Sequence, residues 1–164
     1  MEKQEFKRQL AALLKRNARM ANQEMADRLG VSEPVIAATI QEMENDGDIM
    51  GYTAIMSAAN AQDEVRAIIE IAVQPERNLG FDRVAERLAR FPEVVSVYLV
   101  SGQYDLRLEV VGKSLQDVAS FVSGTLSLQE GVKSTATYFL LKKYKEAGVN
   151  FTKETKHERL QIVP

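Results

Sequence analysis

Apolar residues in the N-terminal third recur with a helical period. Phe6, Leu10, Leu13 and Leu14 fall at i, i+4, i+7 and i+8 and lay one stripe along an amphipathic helix. Asn22 can cap a second, short helix whose Met25, Ala26 and Leu29 face inward, and Gly30 ends it in the left-handed conformation that a sharp turn needs. Ser32 then caps a third helix, with Pro34 in the first turn where its missing N–H has no partner to lose, and Ile36, Ile40 and Met43 as the buried stripe. Ala26, Gly30 and Ile36 suit two helices that cross through a short turn. The following DGDIMGYTAIM reads as a turn into a strand, which predicts a winged or helix-turn-helix domain over residues 1–56.

From Val65 the period changes. VRAIIEIAV is a strand and GFDRVAERLARF a helix with Phe81, Val84, Leu88 and Phe91 on one side. EVVSVYLVSG and QYDLRLEVVG are two strands joined tightly, SLQDVASFVSGTLSL is a helix capped by Ser114, and STATYFLL is a last strand. The fold class is α+β, with a β-α-β-β-α-β ferredoxin-like domain over 65–142, in which helices cover one sheet face. Ile69, Ile71, Val97 and Leu99 alternate with Ile68, Val73, Val94 and Val100, so neither face looks polar, and the open face is expected to be covered by a second copy in a homodimer. SAANAQDE, residues 57–64, is a connector, and 143–164 is a polar tail whose Leu160–Val163 run could pair as an edge strand.

Composition narrows the function classes. A chain of 164 residues with 45% hydrophobic and 27% charged residues can bury a core and has room for two small domains. It has no Cys, which removes disulfides, thiolate nucleophiles and Cys-ligated zinc. Charges run through MEKQEFKRQLAALLKR, and no stretch is apolar for the length a membrane span needs, so a cytoplasmic chain with no membrane association is expected. Residues 1–50 hold seven bases against nine acids, so the helical N-terminal part is itself slightly acidic. His157, the single histidine, stands between Lys156 and Glu158 in the tail and reads as a solvated surface residue. No phosphate-binding loop, HExxH or nucleophile elbow occurs, and Glu42 and Glu44 are two apart on a helix and do not face each other. No catalytic residue, metal or cofactor is expected.

Several stretches together resemble the Lrp/AsnC family of bacterial and archaeal regulators over residues 5–142. They are NQEMADRLGVS followed by a helix, then Glu44, Gly47, Ile49, Gly51, Tyr52, Thr53 and Ala54 in the order E-x-x-G-x-I-x-G-Y-T-A, and FPEVVSVYLVSGQYDL and STATYFLLKKYK in the second half. The resemblance implies helix-turn-helix DNA binding, dimers that assemble into octamers, and a small effector, usually an amino acid, held where dimers meet. It places candidate DNA contacts at Asn22, Ser32, Glu33, Ala38, Thr39 and Gln41. It also matches Ser101, Gly102, Tyr104 and Asp105 to an effector-lining loop. Asp105 would accept from an α-ammonium by a charge-assisted bond, with Thr135 and Thr137 as partners for a carboxylate.

Members of that family usually carry several bases along the third helix, where this chain has Ala38, Thr39, Gln41 and Glu42. Cations on phosphate supply most nonspecific affinity, and Arg or Lys on guanine is the commonest base contact. Thr39 and Gln41 remain able to meet base edges, while Lys15, Arg16, Arg19 and Arg28 would hold the backbone, so DNA binding is expected to be weak and steeply salt-dependent. The runner-up reading is a ligand-sensing or scaffolding oligomer that has lost DNA binding and acts through protein partners. On bland readings, Gly102 is a hairpin turn, Asp105 accepts a backbone N–H, and the threonines are ordinary strand residues.

Overall fold

The computed structural model describes residues 2–56, 64–74 and 80–151, and the chain divides into two compact units, Met1–Ala54 and Ile55–Pro164. The linker residues 57–63, His157 and the Leu160–Val163 run lie outside the described residues.

The first unit is three helices, α1 (Lys3–Arg16), α2 (Asn22–Leu29) and α3 (Glu33–Asn45). Phe6, Leu10, Met25, Ala26, Ile36 and Met43 form its core, with Leu13, Leu14, Leu29, Ile40 and Ile49 packed against it. Each helix gives the core the stripe that its spacing predicts. Gly30 closes α2 at φ 67, a left-handed value that costs a Cβ-free residue nothing.

Two cap expectations change. Asn22 is the first helical residue and not the cap: Ala21 is extended and its carbonyl already accepts from Met25 N–H at 3.1 Å, so the helix starts one residue early. Ser32 does hold the cap position of α3, but through its backbone carbonyl, which accepts from Val35 N–H at 3.0 Å; its side chain makes no cap bond. The strand expected after Gly47 does not form. Residues 48–56 run without strand pairing, because the unit's described residues offer no second strand to bond with. Ile49 N–H returns instead to Met43 O at 3.0 Å, and Tyr52 Oη donates to Glu44 Oε1 at 2.9 Å.

The second unit has β1 (Val65–Val73), α4 (Asp82–Leu88), β2 (Val94–Leu99), β3 (Leu106–Gly112), α5 (Leu115–Gly124) and β4 (Val132–Phe139). Its antiparallel sheet has the order β2-β3-β1-β4, the ferredoxin-like arrangement. Ser114 caps α5 as expected, its Oγ accepting from Asp117 N–H at 3.1 Å. Ala67, Ile69, Ile71 and Val73 of β1 and Leu106, Leu108 and Val110 of β3 pack with Val84, Leu88, Val118, Phe121 and Leu126 in one core.

The face assignment from sequence needs correction at two residues. Val73 points inward with Ile69 and Ile71, as strand alternation requires. Val94 and Val97 both pack on the core, because a bulge sets Val94 opposite Val110 and Ser96 opposite Glu109 and leaves Val95 as the extra residue. The outward face is therefore mixed: Ile68, Tyr98 and Tyr138 share it with Glu70, Arg107 and Glu109. The tail opens with a further small hairpin, β5 (Lys145–Glu146) and β6 (Val149–Asn150), turned by Ala147 at φ 42 and Gly148 at φ 87.

Candidate functional site

On α3 the outward residues are Glu33, Ala38 and Gln41, exposed, with Thr39 half-buried beside them. Ile36 and Met43 hold the opposite side in the core. Thr39 Oγ1 donates to Val35 O at 2.8 Å and keeps only acceptor capacity for a base edge, whereas Gln41 Nε2 reaches Asn45 Oδ1 at a long 3.4 Å and is readily released. Ser32 lies exposed at the head of α3, and Asn22 is half-buried at the head of α2.

Glu42 does not present a bare charge. Its Oε1 lies 2.8 Å from Lys3 Nζ and 2.9 Å from Lys7 Nζ, and Lys7 also meets Asp46 at 3.0 Å and Asp48 at 3.4 Å. Lys7, whose side chain is only 12% exposed, thus sits among three carboxylates from the end of α3 and the turn after it. Hydrogen bonds from Lys3 and then Lys7 hold the Glu42 carboxyl below its ordinary value, and bonds to Glu42 and Asp46 push the Lys7 ammonium above its own.

The lowered Glu42 contributes stability above its ordinary value of 4.5 and loses it as pH falls through the folded value. The raised Lys7 contributes stability below 10.5 and loses it as pH rises through its folded value. Lys7→Met should therefore lower the melting temperature at neutral pH. The gap to the wild type should close below about pH 4.5 and also close with added salt. Thermal melts over pH and salt read this, and a gap that ignores both would mean that Lys7 acts through its alkyl packing.

Of the four bases expected to hold the DNA backbone, Lys15 and Arg16 at the end of α1 and Arg19 just beyond are exposed, and none of these three has an ion pair among the described residues. Arg28, the fourth base expected there, is engaged by Glu24 at 2.6 Å.

In the second unit, Ser101, Gly102 and Tyr104 line a hollow of about 410 Å³ on the outward side of the sheet, together with Glu70, Val100, Gln103, Arg107 and Tyr138. The charge of Glu70 raises the Tyr138 phenol above its ordinary value, so it stays a neutral donor toward that carboxylate. Asp105 is turned away: its Oδ2 accepts from Val73 N–H at 2.8 Å and its own N–H donates to Ile71 O at 3.0 Å, which fixes the loop to β1. Thr135 and Thr137 pair with Ile71 and Ile69 and so lie half-buried on the helix-covered face, Thr135 Oγ1 being 3.4 Å from Ser127 Oγ. Within one chain the six expected effector residues therefore divide three ways. Glu70, Arg107 and Tyr138 were not picked out from sequence. The signal was the lone acid in VRAIIEIAV and the lone base in DLRLEV, charges set inside apolar strands.

Residues 5–44 match the AsnC-type helix-turn-helix domain, and residues 66–149 match the Lrp/AsnC ligand binding domain. YugG of Bacillus subtilis, an uncharacterized HTH-type transcriptional regulator, is 37% identical with all of each chain covered. The leucine-responsive regulatory protein of Rhizobium meliloti is 28% identical over 82% of this chain and 86% of its own. Among solved structures, the transcriptional regulator NMB0573 of Neisseria meningitidis, crystallised as an L-Met complex, superposes with a TM-score of 0.68 at 22% identity, covering 89% of this chain and 93% of that one.

Proposed function

The chain belongs to the Lrp/AsnC family of helix-turn-helix transcriptional regulators, and we propose that it reads DNA through α3 and answers to an amino acid bound at the Ser101–Asp105 loop. The observation that carries this reading is the outward face of α3. Ala38 and Gln41 stand clear of the core, the acid beside them is neutralised by Lys3 and Lys7, and Lys15, Arg16 and Arg19 are exposed and without ion pairs among the described residues, which leaves them for the phosphate contacts that α3 lacks. With few cations per unit, each unit binds weakly, and a homodimer or the octamer built from dimers supplies affinity by engaging several units at once. Among the described residues no helix is long and apolar enough to cross a membrane. The amino-acid class of the effector is supported by the L-Met that NMB0573 holds.

Gel shifts at low and moderate salt test the DNA half: a complex that forms at low salt and fades as salt rises is expected, and none at either salt would favour a protein partner. Thermal shifts with the twenty amino acids test the sensor, because a ligand that binds only the native state raises the melting temperature. Asp105 separates structure from recognition. Asp105→Ala removes the acceptor of a partly buried N–H and should cost about 1–3 kcal/mol, whereas Asp105→Asn keeps an acceptor oxygen. If Asp105 also takes the α-ammonium, Asp105→Asn should melt near the wild type yet lose the amino-acid shift. A shift preserved in Asp105→Asn leaves Asp105 as a loop anchor alone.

A further inference from the structure

We infer that Glu70 and Arg107 are the pair by which the outward sheet face recognises a second copy of this chain, Glu70 of each copy meeting the partner's Arg107; this rests on the proposed dimerisation through the sheet. The two residues stand directly opposite each other on β1 and β3, the two central strands, so they occupy the middle of the face. Around them are Ile68, with Tyr98 and Tyr138 more than half exposed. Two hollows of about 420 and 410 Å³ share Val100 and Arg107 along this face and leave room for a facing side chain.

The other charges on that face are already committed, since Arg66 Nη1 lies 2.9 Å from Glu109 Oε1. Arg107 has no hydrogen bond or ion pair among the described residues, and Glu70 interacts with Tyr138. An adjacent acid and base at the centre of a face is self-complementary under a two-fold axis. In such an isologous contact residue i meets residue j of the partner and j meets i, so one pair in the sequence becomes two across the interface. A patch holding either charge alone would repel its own copy.

Sedimentation equilibrium of the full chain at low micromolar concentration tests this. The wild type should dimerise. Glu70→Arg and Arg107→Glu should each weaken the dimer by about tenfold or more, and Glu70→Gln and Arg107→Met, which place no like charge there, should weaken it less. Because each reversed chain carries one sign at both positions, a mixture of the two reversed proteins should form a heterodimer close to wild-type strength, as should the double reversal on itself. A monomeric wild type overturns the sheet-dimer reading and this pair with it. A dimeric wild type whose single reversals dimerise unchanged, or whose mixture gives no heterodimer, leaves the sheet dimer standing and overturns the Glu70–Arg107 pairing.

Discussion

Ile36→Ala should cost about 2–5 kcal/mol and remove DNA binding while the amino-acid response survives. Ile36 is fully buried at the α2–α3 junction, in a core with only five other buried residues, Phe6, Leu10, Met25, Ala26 and Met43. A unit of this size keeps a small stability margin, and a cavity of several methylenes consumes much of it. α3 carries the proposed base-reading face and is buried in the core at Ile36 and Met43, so loosening it scatters the positions of Ala38 and Gln41. Circular dichroism melts and gel shifts on the same sample read both effects. A melting curve within error of the wild type would show that Ile36 does not hold the helix.

The second large effect is a gain. Ala38→Arg with Gln41→Lys should strengthen DNA binding and steepen the slope of log affinity against log salt by about 0.9 for each new phosphate contact, roughly 1.8 in all. The two positions are three apart, share a helix face, and are both exposed, so stability should change little. Affinity and slope must rise together, since a stronger complex with an unaltered slope would come from base contacts and not phosphate. Unchanged affinity in a folded double variant would mean that this face does not meet DNA.

What could be read from sequence was whatever repeats. The stripe Phe6–Leu10–Leu13–Leu14 and the alternation of β1 fixed their elements because burial of a helix or strand imposes a period. Single-residue events were not legible. The cap of α2 moved from Asn22 to Ala21, and the bulge at Val95 turned Val94 inward, since each depends on a backbone bond that no local pattern announces. The hairpin at 145–150 was missed because its turn is Ala147–Gly148 and not the usual Asn-Gly, so alanine sits where asparagine would signal positive φ. At the candidate site, the loop Ser101–Asp105 was found but its wall was not: Glu70 and Arg107 are 37 residues apart, and only the strand register brings them side by side.

The Lys7 cluster also constrains how relatives of this chain can diverge. On the proposed reading a base at position 42 would help to grip DNA, yet reversing Glu42 would set a new cation beside Lys3 and Lys7 and leave Asp46 and Asp48 sharing the one ammonium. Positions 3, 7, 42, 46 and 48 should therefore change as a linked set in any lineage. Chains that acquire a base at 42 should have lost the lysine at 7, while positions 38 and 41 should vary independently of that set. The acidity of the third helix is in that sense inherited with the way the first helix is anchored, and selection for tighter DNA binding would have to act one turn away from it.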